Sequence, residues 1–253
     1  MIIAQISDTH IALDAEDADQ RIRDFERTIA DINGLTPAPD IIIHSGDIVH
    51  NGCADEYEKV AEILARAVRP VYLMVGNKDD RTAVRAAFPT HTYLQDDADY
   101  ITYEIPDLPV RIVVLDTLDP ENNKGDFCTD RRRRFTRLMA RNPHKPTAVF
   151  AHHPPILVDE GPEALHFGSP SIMQSFCDAL LSSGTVIALF CGHVHRSVTG
   201  HVGPIPVSVA TSNSTTLRWS DYPDHLKSCP VYHLHTYDPD YGFSTATKIV
   251  PAD

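Results

Sequence analysis

The sequence predicts an α/β protein, and three observations predict it. Short apolar runs recur along the first three quarters of the chain. Stretches with a helical repeat separate them. Polar residues follow most of the runs at their C-terminal ends. Strand–helix alternation of this kind builds parallel sheets covered by helices.

The apolar runs are residues 1–7, 40–45, 70–75, 111–116, 147–151 and 186–191. They have the length and the aliphatic character of buried strands. Between them, 19–33 places Ile22, Phe25, Ile29 and Ile32 on one helical face, and 55–68 does the same with Val60, Ile63, Leu64 and Ala67. Two further helices are expected over 130–140 and 171–181. The end of the chain differs. Strands are expected over 202–210, 231–237 and 243–250, the last two joined by a hairpin turn at Asp240–Gly242. No repeat, low-complexity tract or Gly/Ser linker interrupts the chain, so 1–253 reads as one domain with a β-rich part from about 200 to 253.

A chain of 253 residues, 42% hydrophobic, buries enough surface to fold without disulfides. Its five cysteines, Cys53, Cys128, Cys177, Cys191 and Cys229, form no CxxC pair, which argues against a disulfide framework and against a cysteine zinc site. Free thiols fit a cytoplasmic protein. Residues 1–7 lack a basic leader, and no run approaches the ~20 apolar residues of a membrane span. The formal net charge of -13 argues against a nucleic-acid polymer as partner. It does not argue against a small anionic substrate, because bound metal cations reverse the local field.

The chemistry lies just beyond the strands. The runs end in Ser7-Asp8-Thr9-His10, Gly46-Asp47, Gly76-Asn77-Lys78-Asp79-Asp80, His152-His153-Pro154-Pro155 and Gly192-His193-Val194-His195. In an open α/β sheet this edge is where ligands bind, and parallel strands bring such ends together. Asp8 and His10 are two apart, as are His193 and His195, so on regular strands each pair would point one way. A carboxylate can bridge two cations, and imidazoles suit Zn, Fe or Mn. Paired ions roughly 3.5–4 Å apart can clamp a phosphoryl group and activate water. Each motif alone is weak; the ordered set of five, each after a buried strand, is specific.

These motifs resemble the signature of the calcineurin-like metallophosphoesterases. The compact size and the His-His-Pro-Pro form are similar to the bacterial branch of cyclic-nucleotide and glycerophosphodiester phosphodiesterases. The resemblance spans residues 8–195. It implies a four-layer αββα sandwich, two β-sheets flanked by helices. It implies two metal ions (Mn, Fe or Zn), the first on Asp8, His10, Asp47 and His195. The second would lie on Asp47, Asn77, His152 and His193, with Asp47 between the two. It further implies that a hydroxide shared by the metals attacks a small phosphate ester, with a diester preferred. A phosphomonoesterase or a nuclease on the same site are the alternatives. The reading from another class is a non-catalytic scaffold, which the complete ligand set argues against. A homodimer stays open.

One position departs from the family pattern. The residue after the motif asparagine is normally histidine, and here it is Lys78. A lysine supplies a fixed positive charge toward the substrate, but it is a poorer proton donor near pH 7. Asp79 and Asp80 are expected to hold it charged. Lys78, Asn77 and His152 are thus the candidate catalytic residues.

Other features carry weaker readings. His153 is expected to pack or hydrogen-bond behind the metal ligands, and His44 to be a satisfied near-core residue. His50 and Asn51 are candidates for the cleft wall. The remaining histidines, His166 among them, default to surface or packing. Arg131 to Arg134 open a helix, where consecutive side chains spread around the axis into a solvated collar. Glu160, Glu163 and Phe167 lie in a Gly- and Pro-containing stretch that fits a lid or a plain loop. Trp219 and Tyr222 are available to stack on an organic substituent or to seal a dimer contact.

Overall fold

The computed structural model describes residues 1–158, 165–219 and 222–251. The first sheet has the order β11-β10-β1-β2-β3. It contains β1 (Ile2–Ile6), β2 (Ile41–His44) and β3 (Val71–Leu73), together with β10 (Val231–Asp238) and β11 (Gly242–Ile249). Strands β1, β2 and β3 are parallel; β10 and β11 add an antiparallel edge. The second sheet has the order β4-β5-β6-β7-β9-β8. Its strands are β4 (Tyr103–Ile105), β5 (Arg111–Leu115), β6 (Thr147–Ala151), β7 (Val186–Cys191), β8 (Val198–Val202) and β9 (Ile205–Val209). Here β5, β6, β7 and β9 are parallel, and β4 and β8 close the edges in the opposite sense.

Alternation along the second sheet makes the layers. Ile112, Val114, Ala148 and Phe150 point into a core shared with Ile3, Ile41 and Ile43 of the first sheet. The intervening Val113, Leu115, Val149 and Ala151 point the other way, onto helices α4 (Thr129–Ala140) and α5 (Pro170–Ser182). There they meet Phe135, Leu138, Phe176 and Leu180. Successive strand residues face opposite sides, so both faces of a covered sheet must be apolar. The first sheet's outer face receives α1 (Ala18–Gly34) and α2 (Ala54–Leu64) through Phe25, Ile29, Ile32, Val60 and Ile63. The result is the four-layer αββα sandwich that the resemblance implied.

The helix ends follow local chemistry. Ser169 caps α5 by accepting the Ile172 N–H at 3.2 Å, with Pro170 in the first turn where its missing N–H costs nothing. Asp80 caps α3 (Arg81–Ala87) by accepting the Ala83 N–H at 2.7 Å.

Three elements differ from the sequence reading. Helix α3 and the three-residue β4 were not expected; both are too short to show a repeat. The expected strand over 202–210 is β9, and β8, which was not expected, precedes it across a turn at Gly203 with φ 57°. No described helix is long and apolar enough to cross a membrane.

Phe150 is fully buried between the sheets, its ring 4.9 Å from that of Phe190. Phe150→Ala should cost about 3–5 kcal/mol in urea unfolding, the usual loss for a large core aromatic. Leu157, 61% exposed, should tolerate alanine within about 0.5 kcal/mol. Equal effects at the two positions would contradict this packing.

Candidate metal centre

The five strands that carry the candidate ligands lie in two sheets rather than one. Strands β1, β2 and β3 deliver Asp8, His10, Asp47 and Asn77; β6 and β7 deliver His152, His193 and His195. The two sheets pack so that these ends coincide, and the centre sits across the seam.

The ligand side chains converge by a route the strand periodicity did not predict. Strand β1 stops at Ile6 and β7 at Cys191, before the motif residues begin. Asp8, His10, Asp47, His193 and His195 all have left-handed backbones, with φ of 54°, 45°, 50°, 76° and 55°. Such a conformation costs on the order of 1–3 kcal/mol at a non-glycine residue, though Asp and His tolerate it better than most. Two pairs that a regular strand would have aligned are therefore aimed by turns instead. The neighbouring glycines permit the crowding. Gly46 has φ 96°, and a side chain there would strike the His152 ring. A side chain on Gly76 would overlap the Asp47 carboxylate.

Two groups of donor atoms form. In the first, Asp8, His10, Asp47 and His195 place their ligand atoms within 4.8 Å of one another. His10 Nε2 lies 3.0 Å from His195 Nε2, 3.5 Å from Asp47 Oδ2 and 3.8 Å from Asp8 Oδ1. His195 Nε2 is 3.5 Å from Asp8 Oδ1. In the second, His152 Nε2 is 3.4 Å from Asp47 Oδ1, and His193 Nδ1 is 2.9 Å from Asn77 Oδ1. The His152 and His193 rings are 5.3 Å apart. Asp47 thus turns one oxygen to each group.

The donor set fits metal ions. His152 Nδ1 faces the Ser45 carbonyl at 2.8 Å, and His195 Nδ1 faces that of Leu217 at 2.9 Å. Each Nδ1–H donates outward, which leaves Nε2 with a lone pair aimed into the site. His152 Nε2 is buried without a hydrogen-bond partner. A cation satisfies such inward lone pairs, and a mixed carboxylate, amide and imidazole set suits a transition metal.

The electrostatics match. Burial opposes ionisation of Asp47, yet His152 and His10 beside it and the Lys78 N–H hold its carboxyl well below the usual range. Burial likewise opposes charge on His152, but Asp47 and Asp8 raise its pKa to about 9. Burial drives His10 down to about 3, and lowers His193 too.

Several residues stand where the sequence did not put them. Asp79 and Asp80 do not serve Lys78. Asp80 caps α3, while Asp79 turns inward and accepts the N–H groups of Ile48 at 3.1 Å and Gly76 at 2.8 Å, and the Tyr57 hydroxyl at 2.9 Å. It ties the Asp47 loop to the Asn77 loop, a role no local pattern announces. His166 is buried with its ring 5.2 Å from His193. His153 is buried and bonded to the Thr117 hydroxyl at 2.8 Å; its ligand atom also falls within 4.8 Å of those of His152 and His193. His44 pairs with Thr9 Oγ1 at 2.9 Å, as a near-core histidine should. The His50 ring lies 5.7 Å from that of His10, while the Asn51 amide is held by Asp14 and Glu56. The arginine run is only half a solvated collar. Arg131 is buried against Asp126 and the Leu118 carbonyl, and Arg134 pairs with Asp97 and Asp99. Both guanidiniums lie over the Tyr100 ring, at 4.5 and 4.8 Å. Phe167 is fully buried on Phe176 and so is core rather than lid. Glu160 and Glu163 lie outside the described residues.

A family model described as calcineurin-like phosphoesterase matches residues 1–197. The chain belongs to that family. With its donor set, this makes it a metal-dependent phosphoesterase. Similar proteins include one of Arcobacter nitrofigilis named "Probable glycerophosphodiester phosphodiesterase", 29% identical over 99% of this chain and 93% of the relative. Another is a "Probable cyclic nucleotide phosphodiesterase" of Rhodococcus erythropolis, 30% identical over 85% of this chain and 71% of the relative. Among solved structures, a dimetal phosphatase from Danio rerio superposes with TM-score 0.74 at 14% identity over 99% of each chain, which shows the shared fold.

Chelation followed by metal re-addition tests the fit. At ligand concentrations near 100 Kd one site stabilises the fold by about 2.7 kcal/mol. For a chain of this size each kcal/mol moves Tm by roughly 2–4 °C. EDTA treatment should therefore lower Tm by at least about 5 °C, and Mn2+ or Zn2+ should restore it. An unchanged Tm would contradict metal binding at these residues.

Proposed function

We propose that the chain hydrolyses small phosphodiesters, with Asp47 as the ligand shared by its two metal ions. The observation that carries the reading is the Asp47 carboxylate: Oδ2 lies 3.5 Å from His10 Nε2 and Oδ1 lies 3.4 Å from His152 Nε2. On this reading Asp8, His10, Asp47 and His195 hold the first ion, and Asp47, Asn77, His152 and His193 hold the second. Bound metals supply Lewis-acid activation of water and neutralise phosphoryl charge.

The chain's own residues do the rest. The outward hydrogen bonds of His152 and His195 fix their rings, so the donors need not reorganise when substrate arrives. Asn77 brings a neutral ligand to the second half, which makes that ion the more easily lost. Lys78 follows it directly, and its N–H donates to Asp47 Oδ1 at 2.8 Å. Its charge reaches His50, where burial, Arg21 and Lys78 together lower the imidazole pKa. A cation in that position favours the negative charge that builds on the phosphoryl group and leaving oxygen.

The preference for diesters rests on the relatives, which are named for glycerophosphodiester and cyclic-nucleotide hydrolysis. The reading takes residues 1–253 as one domain. It is supported by β8 and β9 completing the second sheet and β10 and β11 completing the first. A cytoplasmic setting is supported by five unpaired thiols.

A hydrolysis panel tests the substrate class. Bis-p-nitrophenyl phosphate, glycerophosphocholine and cyclic AMP should be turned over faster than p-nitrophenyl phosphate; a monoester preference would overturn the diester reading. Asp47→Asn should abolish most turnover and release both metals. Full activity with two tightly held metals in Asp47→Asn would remove the bridge. Lys78→Ala should lower kcat by on the order of 10²-fold, a usual loss for a preorganised electrostatic group. If that variant matches the parent on esters of graded leaving-group pKa, Lys78 has no part in the reaction.

A further inference from the structure

Residues beyond the family match hold two of the left-handed ligands in place. The segment leaving β9 runs buried beneath the centre: Thr211, Ser212, Asn213 and Ser214 are each no more than 1% exposed. The Thr211 hydroxyl donates to the His195 carbonyl at 2.7 Å, and the Trp219 N–H donates to the same oxygen at 2.8 Å. The Leu217 carbonyl faces the His195 ring at 2.9 Å. The Ser212 hydroxyl donates to the Asp8 carbonyl at 2.7 Å, and the Asn213 N–H to that of Ser7 at 2.8 Å. The segment itself is anchored on α1. Asn213 Nδ2 donates to Thr28 Oγ1 at 2.8 Å, and the Asp24 carboxylate accepts both the N–H and the hydroxyl of Thr215 at 2.7 Å.

In the first half, Asp8 comes from the first sheet and His195 from the second. Each sits in an uncommon backbone conformation, and in that conformation its carbonyl is turned away from the strand ladder. A peptide free to rotate there would swing the side chain out of reach of a shared ion, since metal geometry tolerates errors of only about 0.5 Å. Hydroxyls on one rigid segment reach both carbonyls and so fix the two side chains relative to each other.

We propose that Thr211 and Ser212 are positioning residues for the first metal: their hydroxyls hold the peptides of His195 and Asp8 so that the two side chains meet on one ion. This rests on the two-metal reading above. Neither hydroxyl is assigned to an ion or to substrate. Both act through the ligand backbones, so their loss should fall on one half of the centre and spare the other.

The test titrates metal-free protein with Mn2+ and, separately, Zn2+ by calorimetry, with His195→Ala identifying which phase belongs to the first half. Thr211→Val keeps the volume and removes the donor; Ser212→Ala removes the other. Each should weaken the first phase by about 10–100-fold, the usual cost of losing a group that orients a ligand. The second phase should stay within about threefold, and Thr211→Ser should restore the first. If Ser212→Ala does not fold, Ser212→Cys asks the same question with a weaker donor of similar size. Equal weakening of both phases, or a lower Tm of metal-free protein with unchanged affinities, would show a merely structural role and overturn the proposal. A parent protein that binds fewer than two ions would instead remove the two-metal reading, and this inference with it.

Discussion

Asp47 carries a negative charge where it is only 2% exposed, with the fully buried Asp8 beside it. Taking such a charge out of water costs several kcal/mol unless partners compensate. The surrounding structure supplies them: the His152 and His10 rings within 3.5 Å and the Lys78 N–H at 2.8 Å. The raised pKa of His152, about 9, is the counterpart of the lowered one on Asp47. A cation bound at Nε2 of His152 would replace the proton that these carboxylates favour there. Metal binding and proton release are therefore linked, as they are wherever ligands must be deprotonated.

The architecture serves that charge. Two sheets packed face to face bring five strand ends to one seam, so candidate ligands from residue 8 to residue 195 meet without any long excursion of the chain. At the seam, buried polar groups add to the apolar core between the sheets. Asp79 spans the Asp47 and Asn77 loops by accepting their N–H groups. Burial and nearby Asp47 push its pKa up to about 7, although those donors pull the other way. Gln5 performs a similar service between sheets, donating to Ser45 Oγ at 2.8 Å and to the Cys191 carbonyl at 2.9 Å. Buried polar groups of this kind have few alternative partners, and so they specify one arrangement of the loops.

Much of this was legible in the sequence, and the reason is chemical. Asp8, His10, Asp47, Asn77, His152, His193 and His195 are of metal-binding type and follow apolar runs, a coincidence that chance rarely repeats five times. The strands were legible because fully covered sheets demand unbroken apolar runs. What the sequence concealed depends on distance. The role of Asp79 appears only when β2 and β3 stand side by side, since nothing within its own motif separates it from Asp80. Thr211 and Ser212 look like an ordinary polar loop until the fold places them under residues 8 and 195. Arg131 and Arg134 were misread because neighbours in a run were treated alike, whereas one face of α4 turns toward Tyr100 and the other toward solvent. The aim of the ligand side chains was also hidden, because a two-residue spacing implies a regular strand, and these residues lie beyond the strands in left-handed turns.

The central claim is that one carboxylate, Asp47, lies between two separately held ions. Crystals of the metal-loaded protein, measured at the absorption edge of the added metal, test it most directly. The account predicts two anomalous peaks, one between Asp47 Oδ2 and the His10–His195 pair and one between Asp47 Oδ1 and the His152–His193 pair. A single peak, or two peaks that do not share Asp47, would contradict it.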